Sequence, residues 1–286
     1  MNLEPLHIPE LLRRYNLSPQ KSLGQNFLMD HNALLKVVED AEVNRDDRVL
    51  EIGAGIGNLT RLLAVRAKQV TAVEIDQGLF PILEEVTRPF DNIHLLKGDF
   101  LEIALDSLFA EDGYLVVANI PYYITSAVIR HLLEAKVRPA RMVLTMQREV
   151  AERIINKDEK MSLLSLSVQI YGQARIGSHI PARCFYPEPN VDSSVLIIEV
   201  YGQPELSSKG IKRLFTLAHA AFNQKRKMLR GSLSPLLGKD KQSVAEILEN
   251  ADIDPRRRPE ALSLDDWIRL VEAVGDGAFG QKSSNT

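Results

Sequence analysis

From about residue 46 to 147, runs of uninterrupted apolar residues alternate with stretches in which apolar positions recur every three or four residues. "DRVLEIGAG" is a short apolar run stopped by glycines, and in "NLTRLLAVRA" Leu59, Leu62, Leu63 and Val65 mark one helical face. "QVTAVEID", "IHLLKGDF", "YLVVANIP" and "RMVLTMQ" repeat the strand pattern, with helical stretches such as "TSAVIRHLLEAK" between several of them. Asp76 stands where a helix N-cap belongs. Strands that are apolar on both faces and joined through helices predict a parallel sheet covered on both sides.

Two later runs, "SLSVQIYGQARIGSHI" and "SSVLIIEVYG", are strand-like and separated mainly by "PARCFYPEPNVD", which predicts an antiparallel hairpin at the sheet edge. After "YGQPELSSKG" the pattern is helical only: "IKRLFTLAHAAFNQKRKMLRGSL", "KQSVAEILENA" and "SLDDWIRLVEAV". One boundary is therefore expected near residue 203, with an α/β domain over 1–203 and a helical domain over 204–275. The Gly/Ser-rich tail 276–286 is expected to lack fixed structure.

Composition changes this picture little. The 286 residues are 45% hydrophobic and 26% charged, with a net charge of −3, so affinity for a polyanion must come from local clusters. One such cluster runs from Lys209 to Arg230, where seven basic residues meet no acid: Lys209, Lys212, Arg213, Lys225, Arg226, Lys227 and Arg230. That imbalance favours phosphate contact. For Arg256–Arg258 a solvated face is the better reading. The single cysteine, Cys184, excludes an intrachain disulfide and a Cys-rich zinc site, in keeping with a reducing compartment. No apolar run approaches the roughly 20 residues needed to cross a bilayer. The N-terminus has neither the basic head nor the apolar run of a signal peptide. A cytoplasmic location is expected. The six histidines show no metal-ligand spacing and receive no role.

The candidate chemistry lies at the ends of the strands. "EIGAGIGN" sets Gly53, Gly55 and Gly57 between a strand and a helix, where glycine lets backbone approach a ligand closely. A dinucleotide fold would show G-x-G-x-x-G, but here the third glycine comes one residue early, and Glu51 precedes the loop. A cationic ligand without phosphates fits better, and S-adenosylmethionine is the common nucleoside of that kind. Glu74, ending the next strand, can accept both hydroxyls of a ribose. Asp99, ending the third, can accept a hydrogen bond from an adenine amine. The fourth strand ends at Asn119, followed by Ile120, Pro121 and Tyr122. An adenine amine is a poor nucleophile because its lone pair is delocalised into the ring. Two acceptors, the Asn119 side-chain oxygen and the Ile120 carbonyl, would draw that nitrogen towards a tetrahedral shape. Pro121 fixes the carbonyl's direction, and Tyr122 offers a face for the base.

With these motifs in place, the chain resembles the ribosomal RNA adenine dimethyltransferase family, in particular its bacterial small-subunit (16S) branch. The resemblance runs from about residue 18 to 235 and rests on "KSLGQNFLMD", "VLEIGAGIGNLT", "AVEID", "GDFLE", "NIPYYITSAVI", "MQREVAERI", "CFYPEPNVDSSVL" and "AFNQKRKMLRGSL". It implies a Rossmann-like class I methyltransferase domain with a mostly parallel seven-stranded sheet, and a small all-helical domain that contacts RNA or the ribosome. The implied activity transfers methyl groups from S-adenosylmethionine to N6 of two adjacent adenosines near the 3′ end of the small-subunit RNA, two per base, during subunit biogenesis. Asn26, Leu28, Gly53, Gly55, Glu74, Ile75, Asp99, Phe100 and Asn119 would hold the cofactor. Phe185 would face Tyr122 across the target base. Lys225, Arg226, Lys227 and Arg230 would contact RNA. The enzyme would work as a monomer on the ribosomal subunit, with no metal and no membrane partner.

Two departures from the family pattern stand out: "INKDEKMSLLSLSV" replaces a Gly-rich loop, and Lys225 stands where relatives carry arginine. Three other readings remain: a large-subunit RNA methyltransferase of the antibiotic-resistance type, a non-catalytic nucleic-acid-binding factor, and a DNA adenine methyltransferase. The "AFNQKRKMLRGSL" helix and the long C-terminal region weigh against the first. The intact Glu74, Asp99 and Asn119–Tyr122 weigh against the second. The third would more often carry a second proline after the asparagine and a separate recognition domain.

Overall fold

The computed structural model describes residues 3–155, 160–224 and 226–275. It divides into two compact units, one formed by Met1–Ile155 with Gly172–Gly202, the other by Asn156–Tyr171 with Gln203–Thr286. The chain thus passes between units three times, where the sequence suggested a single boundary near 203. The expected tail 276–286, and residues 156–159 of the divergent loop, lie outside the described residues.

The first unit opens with α1 (Ile8–Arg14), a two-residue strand β1 (Phe27–Leu28) and α2 (His31–Ala41), capped by Asp30 through its bond to the Ala33 N–H. Then follow β2 (Arg48–Ile52), α3 (Asn58–Arg66), β3 (Gln69–Glu74), α4 (Phe80–Thr87), β4 (Ile93–Lys97), β5 (Leu115–Asn119), α5 (Thr125–Leu133), β6 (Arg141–Gln147) and α6 (Arg148–Ile155). In the second unit lies α7 (Leu163–Tyr171), after which β7 (Gly172–Ile180), β8 (Phe185–Tyr186) and β9 (Ser193–Val200) complete the first.

The seven-stranded sheet has the order β4-β3-β2-β5-β6-β9-β7. Only β9 runs against its neighbours, pairing antiparallel with both β6 and β7. The predicted edge hairpin is therefore present, with its second strand inserted beside β6. Val49, Leu50, Val116, Val117 and Ala118 are almost wholly buried, as strands covered on both faces require. Strand order reverses between β2 and β5. Open α/β sheets hold their ligands at such a switch point, beyond the carboxyl ends of the strands. β1 and β8 pair separately, Phe27 with Tyr186 and Leu28 with Phe185.

One expected strand is a helix. The alternation in "SLSVQIY" suggested an extended run, yet these residues form α7. Ser162 starts it by accepting the Ser165 N–H, and the Ser167 hydroxyl donates to the Leu163 carbonyl one turn back. Serines satisfied in this way can be buried, so the helix is buried on most of its sides and its period disappears. The rest of the second unit comprises α8 (Ser208–Phe222), α9 (Leu229–Leu237), α10 (Lys241–Asn250) and α11 (Leu264–Val274). Its core includes Trp267, fully buried and stacked on Phe222 at 5.9 Å. A capping box between Ser263 and Asp266 starts α11.

Candidate active site

A cleft of about 180 Å³ lies at the carboxyl ends of β2, β3, β4 and β5. The residues ending these strands were the sequence candidates, and Gly53, Gly55, Glu74, Ile75, Asp99, Phe100 and Asn119 all line it. So do Ile120, Pro121, Tyr122 and Phe185, together with Asn26. Leu28 does not. Its side chain is buried in the core and its carbonyl accepts the Asn58 Nδ2 at 3.0 Å.

The glycine loop is shaped by what a side chain would displace. Gly55 has φ +57°, and a Cβ there would sit 3.2 Å from two ring carbons of Phe27. Its N–H donates to Glu74 Oε2 at 2.7 Å, and the Asp76 N–H donates to Oε1 at 2.8 Å. A carboxylate can accept about four hydrogen bonds, so Glu74 keeps accepting capacity for a ligand. Burial pushes the Glu74 carboxyl above the ordinary carboxylate range, against the pull of these N–H donors. Asp99 uses Oδ1 to cap its own turn at the Leu101 N–H, 2.9 Å away. Ile75 is 47% exposed, an apolar platform beside these two acids.

The Asn119 amide has one defined orientation. Nδ2 donates to the Asn26 carbonyl at 3.0 Å, which leaves Oδ1 as its acceptor. Neither Oδ1 nor the Ile120 carbonyl receives a hydrogen bond from the described residues. Two adjacent oxygens are thus available at the end of β5. The Tyr122 hydroxyl bonds to Ser193 Oγ at 2.9 Å, fixing its ring, and burial pushes its ionisation up. Phe185 lines the same cleft with only 2% of its surface exposed.

Sequence reasoning missed the support for this arrangement. Asp76, read only as a cap, does accept the Gly78 N–H at 2.9 Å. Its Oδ2 also receives Nε2 of Gln20 at 2.9 Å and of Gln25 at 2.7 Å. The segment Gln20–Asn26 is therefore tied to the end of β3 on one side and to Asn119 on the other. No local motif announces such a tie, because the partners are 51 and 56 residues apart.

Behind the cleft, Glu51 is 1% exposed and its Oε2 has no hydrogen-bond partner among the described residues. Burial, reinforced by the charge of Glu74, pushes its carboxyl up to about 8.

The charge of the cleft limits its ligand. Its walls carry two carboxylates, Glu74 and Asp99, and no Lys, Arg or His among the described residues. A nucleoside bearing phosphates would find no cation there, whereas a positively charged, phosphate-free nucleoside would be well matched. S-adenosylmethionine fits that donor set.

In the second unit, Lys209, Lys212, Arg226 and Lys227 are exposed. With the half-buried Arg230, they form no ion pair among the described residues. Lys225 lies outside the described residues. Arg213 is used internally, donating to the Val271 carbonyl at 3.1 Å. Arg256 pairs with Asp254 and Arg257 with Asp266, both at 3.0 Å. Among the described residues no group of His, Cys, Asp and Glu could hold a metal ion, and no helix is long and apolar enough to cross a membrane.

One reversed strand in an otherwise parallel seven-stranded sheet, with an acidic cleft at its switch point, is the arrangement of a Rossmann-like class I methyltransferase fold. Solved structures agree on the fold. A 23S rRNA methyltransferase, ErmE, superposes with a TM-score of 0.68 at 29% identity, covering 87% of this chain and 99% of its own. A dimethyladenosine transferase from Plasmodium falciparum gives 0.73 at 24% identity, covering 87% and 97%. The chain belongs to the ribosomal RNA adenine dimethylase family, whose model matches residues 16–273, and it is an S-adenosylmethionine-dependent enzyme. It is 40% identical to proteins named ribosomal RNA small subunit methyltransferase A. One is from Bacillus pumilus (96% of this chain, 98% of the relative) and another from Enterococcus faecalis (94% and 95%).

Proposed function

We propose that this protein dimethylates N6 of two adjacent adenosines near the 3′ end of small-subunit ribosomal RNA, working in the cytoplasm as a single chain on the ribosomal subunit. The observation that carries the reading is the pair of open acceptors, Asn119 Oδ1 and the Ile120 carbonyl, with the amide orientation set by Asn26.

When bound, S-adenosylmethionine supplies an electrophilic methyl group on a sulfonium sulfur. Glu74 and Asp99 would hold its ribose and adenine, with Ile75 and Phe100 as apolar walls and the Gly53–Gly55 backbone and Asn26 beside them. Asn119 Oδ1 and the Ile120 carbonyl accept the two N–H groups of the target amine. They would hold its lone pair towards the methyl donor, whose sulfur would leave as a neutral thioether, and would steady the N–H groups of the cationic nitrogen until water takes the proton. In the second transfer the one remaining N–H would keep one of these acceptors. Pro121 limits the wander of that carbonyl. Tyr122 stacks on the base, and Phe185 closes the wall opposite. No strong base is needed, because positioning of this kind can supply roughly 7–11 kcal/mol of a barrier. Arg226, Lys227 and Arg230, with Lys225, would contact RNA phosphates in the second unit.

The test is incubation of the protein with labelled S-adenosylmethionine and unmethylated small subunits, large subunits or DNA, followed by nucleoside analysis. N6,N6-dimethyladenosine is expected from small subunits only. Labelling of large subunits instead would assign the protein to the activity that the ErmE likeness suggests.

A further inference from the structure

Tyr123 follows the stacking residue Tyr122, yet it is placed quite differently. It is 65% exposed, the most exposed of the large apolar side chains among the described residues, and it still contributes to the wall of the cleft. It therefore stands on the rim. Its hydroxyl makes no hydrogen bond among the described residues, so nothing polar accounts for its position.

The ring is backed rather than loose. A Cβ on Gly24 would lie 3.2 Å from Tyr123 Cε1, 3.3 Å from its Cδ1 and 3.3 Å from Pro121 Cβ. The ring thus rests against bare backbone at a residue whose φ of +62° favours glycine. That backbone is itself anchored, because Gln20 and Gln25 on either side of Gly24 both donate to Asp76. An exposed aromatic ring, supported on one side and open elsewhere, on the lip of a cleft built to receive a base, has the form of a stacking surface.

The inference rests on the proposed function. When one adenosine of an adjacent pair turns into the cleft, its neighbour loses a stacking partner and stays outside. We propose that Tyr123 is a second base-stacking platform, which holds the nucleobase next to the target adenosine and so favours a substrate with two unstacked neighbouring bases. The aromatic ring performs this role, and the hydroxyl does not.

The test compares wild type, Tyr123→Ala and Tyr123→Phe on unmethylated small subunits, with S-adenosylmethionine affinity measured by calorimetry on each. Tyr123→Ala should lose roughly 5- to 150-fold in kcat/KM, the scale of one base–aromatic stack, mostly through KM. Cofactor affinity should be unchanged, and Tyr123→Phe should restore turnover. The inference is overturned if Tyr123→Ala matches wild type or if Tyr123→Phe falls as far as the alanine variant. Loss of cofactor binding by the alanine variant would also overturn it, by assigning the ring to the cofactor wall. A wild-type protein inactive on small subunits would instead sink the functional reading, before any variant is compared.

Discussion

Replacing Glu51 by Gln tests the electrostatics of the sheet directly. The side chain keeps its shape but can no longer ionise. In the folded protein Glu51 is 1% exposed, lacks a partner for Oε2 and titrates at about 8, against an ordinary value of 4.5. Below pH 4.5 both the folded and unfolded chains carry its proton. Between 4.5 and 8 the unfolded chain releases the proton while the folded one keeps it. Stability contributed by this group is therefore present at low pH and lost as pH rises towards 8, after which it is level. The slope is on the order of 1 kcal/mol per pH unit, amounting to several kcal/mol across the window. The Gln variant has no such slope, so it should gain on wild type from pH 5 to 8 and hold a constant lead above. Subtracting the two curves cancels the titrating groups that do not sense Glu51, which leaves Glu51 and its coupling to Glu74. The sole tryptophan, Trp267, lies in the second unit and cannot report on β2. Urea titrations should therefore be read by hydrogen exchange of peptides spanning Arg48–Ile52. A difference that does not change with pH would mean that Glu51 is ionised in the fold, and the reasoning would fail.

Other outcomes follow from the site. Asn119→Ala should lower kcat by roughly 100- to 1,000-fold, the scale seen when one transition-state hydrogen bond is removed, while cofactor binding in calorimetry changes little; normal turnover would refute its role. Asp76→Ala removes the bonds to Gln20, Gln25 and Gly78 and should destabilise the first unit by roughly 2–4 kcal/mol. It should also open Gln20–Asn26 to protease, which intact resistance would contradict. Neutralising Arg226, Lys227 and Arg230 should flatten the salt dependence of RNA affinity by about 0.7–0.9 per lost phosphate contact in a log–log plot, and an unchanged slope would remove these residues from the interface.

The sequence made the sheet legible because each of β2 to β5 is a mostly apolar run followed closely by a residue of distinct chemistry. Gly53, Glu74, Asp99 and Asn119 could be placed on one edge for that reason alone. Where local pattern had two meanings, it misled: the alternating serines of α7 mimic a strand, and only the Ser162 cap on Ser165 and the Ser167 bond to the Leu163 carbonyl one turn back distinguish a buried helix. Long-range ties were not legible at all. Nothing near Gln20 or Gln25 points to Asp76, and nothing near Asn26 says that its carbonyl would choose which atom of Asn119 faces the cleft. Leu28 illustrates the converse. It belongs to a recognisable motif, but its pairing with Phe185 directs it into the core.

The double anchorage of Gln20–Asn26 has a consequence for the order of events. One stretch of chain both walls the nucleoside cleft and sets the Asn119 carboxamide, so displacing it to admit or release a ligand also unsets the reacting end of β5. In the proposed reaction the bonds to Asp76 would therefore have to be in place before the Asn119 carboxamide is set.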